Sequence, residues 1–397
     1  MGLSGWLLRR AAARPRAFVV GVRYGTRTRL LVEGELGRRG WGDALSPGEA
    51  GLLVVCGLPG DDLAAAVRTV WSDIPGPRAL VELAAEATSE QVASELDRAA
   101  ELLADETAQR RDAAERVPDV PGQAATGGHG GHEQHMGSPG GVAMAGRGPD
   151  RDGLTLDRLH VPLGPVLADW PSGLVVDTVL QGDVIQQAAV RVPDRQETGR
   201  RFWDEPWLAA PEGPAVTRGE AERRRAAAHL DSLGRLLAVA GWPDAARQSR
   251  WLRDLALAGA SRAELADGHA RLARRVRRSK LLAWMLRDLG PIELAPSRPG
   301  VSGFALRRVE GDVLDRTYRW LAWTAAAISA LDDHGPVLGE DGPRGSVGER
   351  PSVALLDVLP ALLGGAEWAG ARLIVASLDP DLDQLPTRPH PQGTSHG

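Results

Sequence analysis

The stretch that decides the fold runs from Gly51 to Trp71 and reads GLLVVCGLPGDDLAAAVRTVW. Its first part, Gly51 to Cys56, is a short apolar run that glycine bounds on both sides, which is typical of a buried strand. From Asp61 onward the apolar residues return at helical spacing, and the two aspartates there complement the positive end of a helix. The segment predicts a buried strand followed directly by a helix.

The flanking segments repeat this alternation of strand and helix. Ala17 to Tyr24 and Arg78 to Leu83 are apolar runs that predict two more strands. Thr88 to Ala104 is a predicted helix, because Thr88 and Gln91 stand at the spacing of a capping box and apolar residues follow on one stripe. Since such alternation builds parallel sheets, residues 1–110 are predicted to form an α/β domain with a small parallel sheet.

A low-complexity segment separates this half of the chain from the rest. From Val117 to Pro149 the sequence is rich in Pro, Gly, Ala and Ser and has almost no large apolar residues. Such a composition does not offset the entropy of ordering. We assign residues 111–150 to a flexible Gly/Pro/His linker, and residues 389–397 to a disordered tail.

Three histidines, His129, His132 and His135, recur at every third position of this predicted linker. Imidazoles so spaced can bind Zn²⁺, Ni²⁺ or Cu²⁺. Closed metal sites normally have ligands fixed by surrounding hydrogen bonds, which a glycine-rich segment does not supply. We therefore expect a solvated linker, with a metal-binding protein that uses these histidines as the alternative.

Residues 151–388 are predicted to form an α+β domain with a β-hairpin and a helical bundle. Leu174 to Leu180 and Val184 to Val192 flank a Gln-Gly-Asp turn, which favours a hairpin. Apolar periodicity and capping residues predict three helices and a terminal strand after it. The helices are Glu220 to Ala240, Ser261 to Leu289 and Asp312 to Asp333, and the strand is Arg372 to Leu378.

Composition excludes several classes of function. The 397 residues contain one cysteine, Cys56, which by itself forbids an internal disulfide and any site made of several thiolates. No apolar run reaches the length of a membrane helix, and arginines interrupt the segment from Met1 to Val20 before it could act as a signal-peptide core. We expect a cytoplasmic protein without a transmembrane segment of its own.

The net charge and the sequence motifs further limit the kinds of partner and ligand that the protein is expected to bind. A net charge of −5 argues against global nucleic-acid binding. Between Glu220 and Asp288, however, fifteen basic residues face eight acidic ones, which predicts either a solvated helix face or a docking face for an acidic subunit or anionic lipid. The loop Gly57 to Asp62 lacks the Lys and Ser/Thr of a phosphate-binding loop, and we assign no catalytic residue.

Two further segments carry a resemblance to a known family. Ser46 to Gly57 reads SPGEAGLLVVCG, and Trp71 to Val81 reads WSDIPGPRALV. This pattern resembles the small cluster-bearing subunit shared by respiratory complex I, where it is the B subunit, and the nickel–iron hydrogenases. The resemblance covers roughly residues 17 to 104 and implies an iron–sulfur-cluster fold.

The second half of the chain is similar to the quinone-pocket D subunit of complex I, a relative of the hydrogenase large subunit. Val161 to Pro165, followed by the hairpin, matches the opening of that family in outline. Four later segments match its motifs in the same order. They are His229 to Leu233, Trp251 to Asp254, Gly311 to Arg316 and Ile374 to Asp379.

Departures from the family patterns decide the function that the resemblance implies. Cluster ligands would fall near Gly34 to Gly40 and after Val81, where no cysteine stands, while Cys56 lies in the strand at a position that is not a ligand in the family. The stretch that supplies the quinone-facing histidine is replaced by Asp194 to Gly199, and the quinone-binding tyrosine has no counterpart. We expect no iron–sulfur cofactor and a buried, inert Cys56.

The resemblance then implies a fused, non-catalytic or accessory subunit of a complex-I-like assembly. Its expected partners are membrane subunits of a complex-I-like or antiporter-like assembly, and its expected place is the inner face of the cell membrane. An oxidoreductase subunit that still binds quinone or relays electrons is the alternative.

Overall fold

The computed structural model describes residues 12–116, 146–149, 155–193, 199–210, 216–293, 305–337 and 339–386. Residues 12–116 form a unit, here called the N-terminal unit, in which one parallel sheet lies between two layers of helices. Its elements in chain order are β1 (Arg16–Gly21), α1 (Thr26–Arg39), β2 (Gly42–Asp43), β3 (Leu52–Cys56), α2 (Asp61–Asp73), β4 (Ala79–Leu83), α3 (Ser89–Ala104) and α4 (Glu106–Glu115).

The sheet has the strand order β2-β1-β3-β4, and every neighbouring pair is parallel. All five residues of β3 are buried, because helices cover both faces of this central strand. On one face, Val54 and Cys56 pack with apolar residues of α1 and α3. On the other face, Leu53 and Val55 pack against α2. The predicted α/β class and the strand that decides it are confirmed.

Local signals in this unit were mostly correct. The capping box at the start of α3 forms, with the Gln91 backbone N–H donating to Thr88 Oγ1 over 3.2 Å and the Thr88 N–H donating to Gln91 Oε1 over 2.8 Å. The first strand ends at Gly21 rather than at Tyr24. Helix α1 was not predicted, since its single apolar stripe is interrupted by many arginines and glycines.

The predicted linker is structured at both margins. Helix α4 continues to Glu115 because the Gln109 side chain bonds to the Arg78 backbone in both directions, over 2.9 and 3.1 Å, while Asp112 pairs with the Arg78 guanidinium at 2.9 Å. At the other margin, Gly146–Pro149 is a strand, β5. Regular structure thus extends past residue 111 and resumes before residue 150. The central part of the predicted linker, with the three histidines, lies outside the described residues.

The remaining residues, here called the C-terminal unit, combine an antiparallel sheet with a helical bundle. The sheet has the order β5-β6-β7-β8, with β6 (Thr155–Leu163), β7 (Val175–Gln181) and β8 (Val184–Arg191). The predicted hairpin is β7 and β8, with an irregularity in its register between Val179 and Leu180. The predicted α+β class is confirmed, although β5 and β6 were not anticipated.

In the part of the chain that the structure describes, the bundle contains six longer helices and two short ones. They are α5 (Glu205–Ala209), α6 (Arg218–Val239), α7 (Pro243–Leu257), α8 (Arg262–Arg278), α9 (Lys280–Leu286), α10 (Val313–Ser329), α11 (Ser352–Leu363) and α12 (Trp368–Leu378). A small hairpin of β9 (Asp341–Gly342) and β10 (Gly345–Ser346) precedes α11. No helix in the part of the chain described here is both long enough and apolar enough to cross a membrane.

Two predictions for the bundle were wrong. The helix expected from Ser261 to Leu289 breaks at Ser279, which ends α8 and caps α9 by accepting a hydrogen bond from the Leu282 N–H over 3.2 Å. The terminal strand expected at Arg372 to Leu378 is part of helix α12. The β-branched Ile374 and Val375 suggested a strand, but burial of nearly the whole segment against α6 and α10 determines its structure.

Candidate functional site at the interface of the two units

The carboxyl edge of the parallel sheet faces the C-terminal unit. The chain leaves β1 for β2 on one side and returns to β3 on the other, so a crevice opens at the ends of β1 and β3, where open α/β sheets bind ligands. The turn after β1 is tight there, because the Val22 N–H donates to the Cys56 carbonyl over 2.9 Å. A side chain at Gly25 would lie 2.0 Å from that carbonyl oxygen, so this turn requires glycine.

A cavity of about 110 Å³ lies beside this edge and is lined by both units. Its walls include Gly21, Arg23 and Arg29 from the N-terminal unit and Arg235 and Asp383 from the C-terminal unit. Ligand pockets usually measure roughly 300–1,000 Å³. The crevice is therefore largely filled by protein.

What fills it is a buried network of charged side chains. Arg29 on α1 makes two contacts with the Asp231 carboxylate on α6, at 2.8 and 3.2 Å. Arg253 on α7 contacts Glu33 of α1 at 2.5 Å and the same Asp231 at 2.8 Å. Arg29 also pairs with Glu33 at 2.7 Å. Two arginines and two carboxylates thus join one helix of the N-terminal unit to two of the C-terminal unit.

These four groups hold each other in the charged form. Burial alone would raise the pKa of Glu33, but Arg29, Arg253 and Arg250 outweigh burial and lower it to about 2. Burial also opposes ionisation of Asp231, yet Arg29, Arg235 and Arg253 hold the pKa of that carboxyl well below its usual value. Neither carboxylate is available to accept a proton in the neutral pH range. The network is a fixed electrostatic contact.

A second set of ion pairs extends the network toward the C-terminal segment. Asp379, directly after α12, accepts from Arg235 and Arg344 at 2.5 Å each and from the Ser232 hydroxyl at 2.5 Å. On the opposite side, Arg250 pairs with Asp43 at 2.7 Å and also with Asp169. These contacts neutralise the arginines that line the cavity from the C-terminal unit.

The segment after α12 crosses the end of β1. The Tyr24 backbone N–H donates to Asp383 Oδ1 over 2.7 Å, and the Arg23 guanidinium donates to the Leu385 carbonyl over 3.2 Å. Tyr24 has a φ of 61°, a left-handed conformation that a non-glycine residue seldom adopts without such support. This C-terminal segment therefore closes the crevice from outside.

Two buried carboxyls near this segment, those of Asp204 and Asp383, are stabilised less in the charged form than Glu33 and Asp231 are. Asp204 accepts from Gln384 Nε2 over 3.1 Å through one oxygen, while its other oxygen has no hydrogen-bond partner. Burial and nearby Asp381 raise the pKa of Asp204 to about 6. Burial and Asp381 likewise raise the pKa of Asp383 well above its usual value. The two carboxyls therefore keep a proton to a higher pH than a free aspartate does, unlike Glu33 and Asp231.

Cys56 lies at the end of β3 and is fully buried among apolar side chains, as expected. Burial raises the pKa of its thiol above the usual range, so the thiolate is not formed at neutral pH. Within the described ranges, no group of three or more His, Cys, Asp and Glu side chains has the geometry to hold a metal ion. His129, His132 and His135, the alternative metal ligands, fall outside those ranges.

None of the positions at which the resemblance placed the cluster ligands lines the cavity. Gly34 to Arg39 form the second half of α1, and Gly40 is its C-cap. Glu82 and Leu83 belong to β4. The residues that do meet at the interface, such as Arg29, were not predicted, because charged residues at helical spacing normally indicate a solvated face.

The segments that carry the resemblance to the D subunit meet in space. Arg316 is buried, and it donates to the Ser377 hydroxyl over 3.0 Å, which joins the third segment to the fourth. Ser232, in the first segment, donates to Asp379, in the fourth. Arg253 joins the second segment to Asp231 of the first. The sequence motifs thus meet beside the interface.

Comparison with solved structures finds 27 similar chains. No family model and no curated protein matches the chain. This protein is similar to one chain in a solved structure of a membrane-bound sulfane sulfur reductase, described as an archaeal respiratory membrane complex. The likeness has 17% identity and a TM-score of 0.41, and covers 57% of this chain and 98% of that one. Because both values are low, the function proposed below does not rest on this likeness.

Proposed function

We propose that this protein is a non-catalytic, accessory subunit of a complex-I-like membrane assembly, in which the B-like and D-like parts are fused. The observation that carries the proposal is the interface between its two units. At the crevice of the parallel sheet, where a ligand would bind, Arg29, Glu33, Asp231 and Arg253 fill the space and neutralise one another.

Such a network favours a mechanical role over a chemical one. A catalytic acid or base needs a pKa near the working pH, whereas the pKa values of Glu33 and Asp231 are far below it. A redox role would need ligands for a cofactor, and the one thiol is buried in the apolar core. Ion pairs with little exposed surface instead fix the relative position of the elements that carry them.

The proposed partners follow from the resemblance and from the way its segments meet. Residues of the D-like motifs make contacts within this chain, such as that of Arg316 with Ser377, and these contacts hold the bundle together. No helix in the described residues spans a membrane, so integral subunits would form the membrane-spanning part of such an assembly. We propose membrane subunits of a complex-I-like or antiporter-like assembly as those partners.

Affinity purification from solubilised membranes tests this proposal. We expect the tagged protein to bring down integral membrane subunits in a fixed ratio, and the purified complex to show no iron–sulfur signal in electron paramagnetic resonance that depends on this chain. An Asp231→Asn variant, with a loosened interface, should recover less of the complex, whereas the exposed Asp97→Asn should recover as much as the wild type.

Two results would overturn the proposal. One is recovery of the protein alone, without any membrane subunit, from membranes in which it is fully folded. The other is quinone reduction that a substitution at the interface, such as Arg235→Gln, abolishes while the complex remains assembled. The second result would support the alternative hypothesis, that the protein is an oxidoreductase subunit that binds quinone.

A further inference from the structure

Two large apolar side chains project from the short helix α9 into solvent. Leu281 is 66% exposed and Trp284 is 77% exposed, and Trp284 shares with Leu58 the highest exposure among the large apolar residues of the described chain. They stand three positions apart, so they lie on one face of the helix. Exposed side chains of this size, grouped together, mark surfaces that bind something.

The orientation of this face is fixed by the rest of the fold. Leu282 and Leu286, on the opposite face of α9, are buried in the core of the C-terminal unit. Ser279 caps the helix and sets the bend between α8 and α9. The chain at this elbow, residues 271–287, therefore presents Leu281 and Trp284 outward on a rigid support.

Exposed basic residues precede and follow the two apolar ones along the chain. Seven exposed Arg and Lys residues lie along the elbow, and none of them forms an ion pair with a carboxylate in the described chain. Arg275 and Arg277 lie over the rings of Trp242 and Tyr318, at 4.9 and 5.1 Å. The seven are Arg271, Arg274, Arg275, Arg277, Arg278, Lys280 and Arg287.

This arrangement contrasts with the arginines at the interface of the two units. There, Arg29 and Arg253 are each neutralised by carboxylates of the same chain. At the elbow, the nearest acidic residue along the sequence after α9 is Asp288, and the only acidic residues of α8 lie in its first half. The charge of the elbow is therefore left for an anionic surface outside this protein.

We propose that the elbow of α8 and α9 binds directly to a bilayer that contains anionic lipids. Trp284 and Leu281 enter the boundary between headgroups and acyl chains, and the surrounding basic groups contact lipid phosphates. Interfacial helices combine these features, with Trp or Leu on one side and Lys or Arg beside it. Basic residues close to a bilayer attract acidic headgroups, and this attraction weakens as salt rises.

Lipid explains the surface better than a protein partner does. Arginine and tryptophan also occur at protein interfaces, but a protein partner would have to match seven cations that are spread over residues 271–287. An anionic bilayer can neutralise all seven without matching their individual positions. This contact goes beyond the proposed function, since it requires no other subunit.

Sedimentation of the purified full-length protein with vesicles tests the contact, without any membrane subunit present. We expect binding to vesicles of phosphatidylglycerol and phosphatidylcholine, weaker binding at high salt, and little binding to phosphatidylcholine alone. The double variant Leu281→Ala/Trp284→Ala should bind more than about tenfold less tightly. Trp251→Ala, which removes another exposed tryptophan (52%), should bind as the wild type does.

A second variant tests the charges separately. Arg274→Gln/Arg278→Gln/Lys280→Gln, which leaves the two stacked arginines in place, should weaken binding about tenfold and reduce its salt dependence. Circular dichroism melting should show that each variant is folded. If the wild type fails to sediment with anionic vesicles, or if the Leu281→Ala/Trp284→Ala variant binds as tightly as the wild type, the proposal is wrong, whatever affinity purification shows about membrane subunits.

Discussion

The Arg29 guanidinium donates two hydrogen bonds to the Asp231 carboxylate across the interface of the two units, with nitrogen–oxygen distances of 2.8 and 3.2 Å. The two residues are far apart in sequence and lie on different units, on α1 and α6. Asp231 has almost no exposed surface, and it is also held by Arg253 and Arg235. One carboxylate thus contacts three arginines and links both units.

Removing that carboxylate charge should be costly. In Asp231→Asn, three buried or nearly buried guanidinium groups lose their common partner, and an unpaired buried charge typically costs about 3–5 kcal/mol. We expect the free energy of unfolding, measured in urea, to fall by that amount. The two units should also become easier to separate, which limited proteolysis can detect.

The matched control is Asp97→Asn, which removes an exposed partner of Arg39 on the surface of the N-terminal unit. Exposed pairs contribute about 0–1 kcal/mol, so this variant should unfold almost as the wild type does. Equal stability of the two variants would contradict the role assigned to Asp231.

The ionisation of Asp204 should make the folded protein less stable as pH rises. An aspartate in the unfolded chain has a pKa of about 4, and burial, with Asp381 nearby, raises the folded value to about 6. Because the folded state binds the proton more tightly, Asp204 destabilises the protein increasingly as pH rises from about 4 through 6. The loss is complete above that range.

Asp204→Asn removes this effect while an amide oxygen can still accept the hydrogen bond from Gln384. At pH 8 the variant should be more stable than the wild type by about 2 kcal/mol, and at pH 4 the two should be alike. Chemical denaturation at both values measures the difference. A gain that is the same at pH 4 and pH 8 would show that the carboxyl of Asp204 is not the cause.

Much of the fold could be predicted from local signals. A few neighbouring residues are enough to predict three of its elements. These are the strand Leu52–Cys56, the capping box at Thr88 and the turn between β7 and β8. Helix α12 could not be predicted, because its β-branched residues favour a strand and its helical state depends on long-range packing.

The candidate site was harder to predict than the fold. Arg29 and Glu33 have the spacing of an ordinary solvated pair on a helix, and nothing local shows that a second unit buries them. Their partners, Asp231 and Arg253, come from sequence more than two hundred residues away. The motif comparison did select the segments that hold those partners, but not the contacts they form.

A buried arginine without a direct carboxylate partner gives a further prediction. Arg316 donates to Ser377 Oγ and to the backbone carbonyls of Val309, Gly311 and Gly290, and the last bond measures 2.9 Å. Arg316→Met removes the donor to Ser377 Oγ and to the Val309 and Gly290 carbonyls, while Gly311 still accepts from the Ile292 N–H. Each buried acceptor left without a donor costs about 1–3 kcal/mol. We expect unfolding at a clearly lower urea concentration.

The control is Arg307→Met, which changes an exposed arginine on the preceding segment. Surface substitutions of this kind usually shift stability by less than about 0.5 kcal/mol. If Arg316→Met were equally harmless, the link between the segments Gly311 to Arg316 and Ile374 to Asp379 would not stabilise the bundle.

Cys56 should behave as a packing residue and as nothing else. Its side chain is completely buried in β3, and burial raises the pKa of the thiol, so a thiol reagent such as dithionitrobenzoate should label it only after the protein unfolds. Cys56→Ser places a hydroxyl in an apolar core and should cost about 1–2 kcal/mol. Recovery of membrane subunits in affinity purification should be unchanged. Rapid labelling of the native protein, or loss of a redox activity in Cys56→Ser, would show that the thiol takes part in chemistry that its surroundings do not support.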